Sequence, residues 1–421
     1  MSQIQAAPAS ALWRDPHFAR LWTAQAISSF GARITREGLP MTAVLALNAS
    51  PGVLGVLAAM AYGPAFFVGL AGGGFVDRRR RRPILIAADL VRAAVLITIP
   101  IAAWLHLLAL PQIFVAAALV GAASVLFDMA DHAYLPGLIG TERLMDGNSK
   151  LSATESVAEM GGPALAGFLF QWLTAPFAVA VNAVTYLVSA AALATISKPE
   201  PKPEPPPPEH PFADAASGFR AAWAEPRVRP LLIVALCNGL FGGTFAATYL
   251  VFAIRVLHLT PAMLGITVAC GGVGALFGAG FAQPLARRLG AGRAIVAAGL
   301  AMPLIALLIP LAPAQPLAGM AVLIVSQLLG DAGGVTYQVL AASLRQTVLP
   351  QDMLGRVAGA FQASMGGTML VGALAGGLIA ETFGVRQAMF VACAGLVIGP
   401  AIAALSPALR GVKEIAVDPT A

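Results

Sequence analysis

The sequence predicts an all-α membrane protein in which twelve transmembrane helices form two pseudo-symmetric six-helix bundles. Of its 421 residues, 58% are hydrophobic and only 11% are charged, and the mean hydropathy is +0.79. A soluble globular protein has roughly a quarter charged residues. Apolar runs of about 20 residues, enough to cross a bilayer, recur along the chain between short polar or Pro/Gly breaks.

The first six spans are expected near residues 18–48, 52–76, 83–108, 112–139, 149–173 and 176–197. The second six are expected near 227–257, 260–285, 292–313, 316–345, 353–381 and 384–406. Because this number of spans is even, both termini should lie on one side of the membrane.

A proline-rich segment, KPEPKPEPPPPEHP from Lys198 to Pro211, separates the two sets of spans. Such a segment cannot form a helix and is expected to run as extended polyproline. It divides the chain into an N-terminal bundle (1–197), a cytoplasmic linker with a short helix (198–226), and a C-terminal bundle with a short tail (227–421).

The short helix after the prolines carries its apolar residues on one face, namely Phe212, Ala216, Phe219 and Trp223. We interpret it as an interfacial helix on the cytoplasmic leaflet. A soluble docking helix is the alternative.

Basic residues fall almost entirely on one side of this topology. By position, 21 of the 26 Lys and Arg residues lie on alternate connections and at both ends, including a run of five arginines at 78–82. Cytoplasmic loops are enriched in Lys and Arg, so this side and both termini should be cytoplasmic, in a bacterial inner (plasma) membrane. The pI of about 9.6 then reflects topology and contact with anionic lipids, not nucleic-acid binding.

The sequence lacks the motifs of several other classes of protein. Cys237, Cys270 and Cys393 fall inside predicted spans with neither a disulfide framework nor metal-ligand spacing. Nucleotide-binding loops and the common hydrolase and metalloprotease motifs are also missing. The N-terminus has no features of a cleaved secretory signal. We expect that the protein is not an enzyme and binds no cofactor or metal. We also expect a monomer that draws its energy from an ion gradient or from the substrate gradient.

The two halves repeat their loop patterns. The stretch GGGFVDRRRRRPILIAADL after the second span matches GAGFAQPLARRLGAGRAIVAAGL after the eighth, with small residues, an arginine cluster and a new span in each. Internal repeats of this kind are typical of secondary transporters.

The chain resembles the major facilitator superfamily (MFS). The family pattern G-x-x-x-D-R-x-G-R-R in loop 2-3 is matched by Gly73, Asp77, Arg78, Arg81 and Arg82. Arg80 stands where the family has glycine. The segments FARLWTAQAISSFGARITREGLP, EMGGPALAG and LPQDMLGRV further resemble a bacterial exporter branch that includes siderophore and macrolide efflux proteins.

The resemblance implies a cytoplasmic gate around loop 2-3. Asp77 would accept hydrogen bonds from the exposed amides at the N-terminus of the eleventh span, and Arg81 would pair with Asp128 or Asp131 of the fourth. Arg78 is assigned to the same gate. The alternative is that the arginines only anchor the loop on the cytoplasmic side.

The first span has a polar face made of Gln25, Ser29, Arg33, Arg36 and Glu37. Ionisable groups inside spans are costly and mark candidate sites. Two arginines with one glutamate leave a positive charge, which suits an anionic substrate group or an acid from another span. The alternative is a structural pairing of Arg36 with Glu37 together with snorkelling.

The tenth span has a second polar stripe of Gln327, Asp331, Gln338 and Arg345. Asp331 should lie near the middle of the membrane, as a proton carrier or as the ion-pair partner of Arg33 or Arg36. The resemblance implies that the first, fourth, seventh and tenth spans line the transport cavity.

Two acidic residues of the fifth span, Glu155 and Glu159, lie one turn apart before GGPALAG, a partial match to an antiporter signature. Glu159 is a candidate for substrate or proton binding. In the third span, Asp89 and Arg92 are nearly one turn apart and are expected to form a structural pair.

The function predicted from these features is proton-coupled efflux of a small amphipathic or anionic compound, such as a drug, siderophore or metabolite. One alternative is a proton symporter that imports a sugar or organic anion. A lipid-handling or scaffold membrane protein is the alternative from another class.

Overall fold

The computed structural model describes residues 12–200 and 211–414, and the regular structure in these ranges is helical. The twelve longer helices are α1 (Pro16–Ala46), α2 (Pro51–Ala71), α3 (Arg81–Trp104), α4 (Leu110–Ile139), α5 (Leu144–Leu173), α6 (Ala175–Ala194), α7 (Arg229–Val251), α8 (Pro261–Leu289), α9 (Ala291–Ala306), α10 (Pro316–Val348), α11 (Gln351–Phe383) and α12 (Val385–Ala404). The shorter helices are Leu12–Arg14, Gly73–Asp77, Thr141–Arg143, Pro211–Ala224, Phe252–Val256 and Pro407–Arg410. Proline stands at one of the first two positions of most long helices, where its missing N–H costs nothing.

Nine helices in the described ranges are long and apolar enough to cross a membrane. Helix α9 is apolar but has only 16 residues, because its predicted continuation to residue 313 is broken into turns around Pro310. Helix α1 is long but carries the charged residues of its predicted polar face, and α5 is long but carries Glu155 and Glu159. For these three helices, membrane crossing stays a prediction.

The second six helices repeat the packing of the first six. In the first half, α1 packs on α5 and α6, α3 packs on α4 and α6, and α2 packs on α4. In the second half, α7 packs on α11 and α12, α9 on α10 and α12, and α8 on α10. This repetition supports the division into bundles 1–197 and 227–421, which we propose. The polyproline part of the linker, residues 201–210, lies outside the described residues.

The two halves meet along two glycine-lined seams, α5 against α8 and α2 against α11. At one seam Gly167 and Gly265 face each other, and at the other Gly55 faces Gly377. Small residues allow this approach of helix backbones within a membrane. All four glycines lie toward the helix ends opposite the arginine loop.

Polar contacts join the halves on the same side. The backbone N–H of Gly52 donates to Glu381 Oε2 at 2.8 Å. An Arg255 guanidinium nitrogen donates to the carbonyl of Ala49, also at 2.8 Å. The side away from the arginine loop is therefore closed in this structure.

The helix Pro211–Ala224 packs on α11, where Gly218 meets the backbone of Arg356. Phe219 and Trp223 stack with ring centroids 6.0 Å apart and are 37% and 44% exposed. The predicted helix is confirmed, and its contact with the membrane surface stays a prediction.

Asp89 and Arg92 form the predicted buried pair in α3. Arg92 Nη2 donates to Asp89 Oδ1 at 2.5 Å. Arg92 is only 3% exposed and Asp89 is 0% exposed. The guanidinium lies between two rings, 4.4 Å from the centroid of Phe127 and 4.2 Å from that of Tyr186. The pair thus ties α3 to α4 and α6.

We expect Asp89→Ala to destabilise the protein strongly, because it leaves the arginine charge buried without its carboxylate. Removing one partner of a buried ion pair costs roughly 3–5 kcal/mol. Thermal unfolding in detergent measures the loss. The control is Asp146→Ala, which removes the acid of a more exposed i,i+4 pair with Lys150 and should cost roughly 0.3–0.5 kcal/mol. Equal shifts in both variants would contradict this role.

Candidate functional site

A cavity of about 530 Å³ lies inside the second half of the chain. Its polar lining consists of Asn238, Ser326, Gln327, Asp331, Tyr337, Gln338, Arg345 and Gln362. Apolar lining includes Phe245, Met302, Phe361, Met365 and Leu396. The lining helices are α7 and α9 to α12, so the first and fourth spans, implied by the family resemblance, do not line this cavity. A cavity lined by one half of the chain, with both polar and apolar walls, suits a small amphipathic molecule.

Helix α10 supplies most of the polar lining because its predicted polar stripe faces inward. Gln327, Asp331, Gln338 and Arg345 all contribute to the wall. Glycine on the facing helix makes room for the acid, since a side chain at Gly271 of α8 would occupy the position of the Asp331 carboxylate. Gly274 and Gly278 bring α8 against the α10 backbone in the same way.

Asp331 forms no ion pair with a described residue, and the charge that acts on it is that of Glu159. The predicted ion pair with Arg33 or Arg36 is therefore wrong. Those arginines are held in the first half by acids of α5, on the other side of the seam between the halves. The role of Asp331 as a proton carrier stays a prediction.

The polar face of α1 pairs with α5. Arg33 forms an ion pair with Glu159 and lies 3.9 Å from Glu155 Oε1. Arg36 Nη2 lies 3.2 Å from Glu159 Oε1, and Arg36 Nε lies 3.4 Å from Glu37 Oε1. Three carboxylates therefore surround two guanidinium groups, and the positive charge left over within α1 is met by acids of α5. The acid from another span is the alternative that the structure contains.

A glycine of α5, Gly162, makes room for the Arg33 side chain. The Arg33 side chain lies along the α5 backbone, and a Cβ at Gly162 would approach Arg33 Cγ to 2.6 Å. The GG pair after Glu159 thus leaves room for the arginine that neutralises this glutamate. Arg33 is largely shielded, with 15% of its side chain exposed, whereas Glu159 is 47% exposed.

Gln25 and Asp131 meet between α1 and α4, where the Gln25 side-chain amide donates to the Asp131 carboxylate. They line a smaller cavity of about 110 Å³ together with Ser29, His132 and Glu155. Gln25 therefore lies apart from Asp331 and from the larger cavity. Asp128 lies near Arg92 and His132 on the same helix face as Asp131.

Arg81 pairs with Glu200 in this structure and not with Asp128 or Asp131, so the predicted pairing stays a prediction for the state in which the cytoplasmic side is closed. Glu200 accepts hydrogen bonds from the backbone N–H groups of Arg81 at 2.5 Å and Arg82 at 3.1 Å, and Arg81 Nη1 lies 4.0 Å from its carboxylate. A carboxylate at this position caps the N-terminus of α3 and complements its dipole.

Arg82 secures the same corner by donating from Nε to the carbonyl of Leu193 at 2.9 Å and from Nη2 to that of Ala194. Lys198 donates to the carbonyl of Leu138 at 2.6 Å. The start of the linker is thus fastened to loop 2-3 and to the end of α4. Two of the five arginines have a structural role here.

The remaining gate candidates are not engaged in this structure. Gly73 begins and Asp77 ends a five-residue helix, and Asp77 forms no hydrogen bond or ion pair with a described residue. Arg78 is exposed. The contact of Asp77 with α11 therefore stays a prediction for another conformation.

Sequence reasoning missed three contributors to these sites. Glu200 is separated from loop 2-3 by four helices, and its only signal was an acid directly after the sixth span. Asn238 is a single amide in a largely apolar span, and Phe361 is one apolar residue among many, so no pattern marked either of them. Cys237 and Cys270 are partly buried and Cys393 is buried.

The comparisons with known proteins agree with this architecture. Residues 7–421 match the family described as transmembrane secretion effector. The chain is 26% identical over 387 residues to the uncharacterised MFS-type transporter YfiS of Bacillus subtilis (strain 168), covering 90% of each protein. It is 27% identical over 369 residues to the enterobactin exporter EntS of Shigella dysenteriae serotype 1, covering 84% of this chain and 83% of EntS.

The fold is also that of a solved transporter. A bacterial homologue of the iron transporter ferroportin, in its inward-facing state, superposes with a TM-score of 0.74 at 16% identity, over 94% of this chain and 98% of that protein. Its outward-facing state superposes with a TM-score of 0.59 at 16% identity, over 92% of this chain and 98% of that one. With the family match spanning nearly the whole sequence, the chain belongs to the transmembrane secretion effector family of MFS transporters.

Proposed function

We propose that this transporter exports a small amphipathic or anionic compound from the cytoplasm in exchange for protons. It would act as a monomer by alternating access in the bacterial inner membrane, with both termini cytoplasmic. The exporter EntS among its relatives supports the direction. The observation that carries the proposal is Asp331, a carboxylate without a cationic partner among the described residues, in the wall of a cavity.

A carboxylate in this position can bind either a proton or a cationic or hydrogen-bonding group of a ligand. Removing it from water favours the neutral form unless a cation is present. Ligand and proton can therefore compete at Asp331, and competition for one site is sufficient for antiport. This placement disfavours a lipid-handling scaffold, in which buried charges would be sealed in static packing.

The conformation supports alternating access. Glycine seams and polar contacts close the side away from the arginine loop, while Asp77 on the loop side is unengaged among the described residues. The higher TM-score against the inward-facing than the outward-facing ferroportin homologue agrees. We propose that Asp77 and Arg78 close the cytoplasmic side in the opposite state.

The α1–α5 cluster is proposed as the coupling element of the first half. Glu159 bonds both Arg33 and Arg36, and its charge also acts on Asp331 across the seam between halves. Protonation of Asp331 would remove a repulsion with Glu159. Through Glu159, a change of charge in one half therefore alters the electrostatic energy of the charged groups in the other half.

Proteoliposomes with an acidic lumen test the proposal. Purified protein is given a panel of macrolide antibiotics, siderophores and aromatic carboxylates, and lumenal pH is followed with a trapped dye. We expect at least one compound to enter while protons leave in proportion. Solute entry without proton movement would contradict antiport, and empty liposomes provide the baseline.

A further inference from the structure

Arg345 is the second charged side chain of the cavity, and it too has no acidic partner among the described side chains. It belongs to the last turn of α10, and its guanidinium lies 4.4 Å from the ring centroid of Phe361 on α11. No carboxylate among the described side chains lies within 4 Å of it. A guanidinium held against an aromatic ring retains hydrogen-bond donors that match a carboxylate or phosphate.

The two charges lie at opposite ends of one wall. Asp331, Gln338 and Arg345 follow each other at intervals of seven residues, so they lie on one face of α10. Fourteen residues of α-helix separate the charged positions by about 21 Å. The cavity is therefore polarised along α10, with a negative end at Asp331 and a positive end near the arginine-loop side.

The wall between these ends is mostly apolar. Phe245, Met302 and Phe361 contribute from three helices, and Tyr337 presents its ring from α10 close to Arg345. Gln338 offers an amide midway between Asp331 and Arg345. A ligand that fits this wall has an apolar or aromatic body of similar length.

We infer that the cavity binds an elongated anionic amphiphile, with its acidic group on Arg345 and its opposite end at Asp331. This inference rests on the proposed function and specifies its substrate class. The competing role for Arg345 is to complement the dipole at the C-terminus of α10, where the side chain would serve stability and bind nothing.

Binding of two fluorescent probes separates these roles. The probes are 11-(dansylamino)undecanoic acid and its primary amide, which share length and apolar body and differ only in charge. Energy transfer from the five tryptophans to the dansyl group reports binding to the purified full chain in detergent, with empty micelles subtracted. The wild type should bind the acid about 10- to 100-fold more tightly, the range of one charge-assisted hydrogen-bonded pair.

Arg345→Gln should remove this preference and leave binding of the amide unchanged, whereas Arg345→Lys should keep most of it. The matched control is Arg287→Gln, an exposed arginine at the end of α8 that donates to Gln283 and should behave as wild type. Unchanged amide binding shows that each variant is folded.

Three results would overturn the inference: equal binding of acid and amide by the wild type, a preference that survives Arg345→Gln, or no binding of either probe. The assay uses no gradient. An anion preference in this assay, without proton movement in proteoliposomes, would therefore contradict the proposed antiport but support the substrate class. Proton movement without an anion preference would support antiport but contradict the substrate class.

Discussion

Asp331→Asn is expected to abolish proton release from acid-loaded proteoliposomes while leaving ligand binding in place. Asparagine preserves the volume and hydrogen-bonding capacity of the side chain but cannot exchange a proton. The rate of substrate-dependent proton release should fall by about 100-fold or more, the lower range of what a positioned acid–base group contributes. Lumenal pH and uptake of the best-transported panel compound are measured together.

The control is Glu142→Gln, the same change at an exposed acid of the short helix Thr141–Arg143. It should transport as the wild type does. Counterflow, in which labelled compound exchanges across the membrane without net proton movement, should continue in Asp331→Asn. Proton-coupled uptake by Asp331→Asn at the wild-type rate would return Asp331 to a structural role.

Features that depend on local sequence were predicted well. Helix positions follow from apolar runs and their Pro/Gly breaks, and most predicted boundaries lie within a few residues of the structure. The pair Asp89–Arg92 was predictable because residues three apart on a helix are neighbours. The spacing of the α10 stripe placed its polar residues on one face, and the family resemblance implied that this span lines the cavity.

Partners from other helices were not predictable in the same way. The sequence places Arg33 and Glu159 in different spans but does not state which faces meet, and Gly162 makes that meeting possible. Three acids, Asp128, Asp131 and Glu200, lie where a twelve-span topology would allow them to meet Arg81. Glu200 prevails because two backbone N–H groups of the α3 N-terminus add to the attraction of the side chain.

The position of the cavity was unpredictable for a related reason. Its walls come from five helices of one half, and small residues such as Gly334 and Ala298 are part of them. A pattern on one helix reveals only its own contribution. Family resemblance pointed to a cavity between halves, whereas this one lies within the second half.

Gly265→Val is expected to open the side of the transporter that is closed in this structure. A Cβ at Gly265 would lie 3.0 Å from Gly167 Cα and closer still to the Pro163 carbonyl. Real Cβ atoms do not approach backbone so closely, so α5 and α8 must move apart. Overpacking costs about 1–3 kcal/mol, which changes a two-state equilibrium by about 5- to 150-fold.

Labelling of a buried cysteine at the other seam measures this change. In a chain without its three native cysteines, Ala373→Cys introduces a thiol where Ala373 is 0% exposed and its carbonyl contacts Gly55. An impermeant maleimide should label it from outside the cell faster by a comparable factor when Gly265→Val is present, and coupled transport should fall because the closed state is depleted.

Gly280→Val on the same helix is the matched control, since a Cβ there meets nothing within 4 Å. Both variants add the same side chain to α8, so effects on helix propensity cancel, and only the loss of the seam differs. If the two variants label and transport alike, the glycine seam does not hold the outer side closed. A difference confined to Gly265→Val means that separation at α5–α8 is transmitted to α2–α11, as rigid movement of one bundle against the other requires.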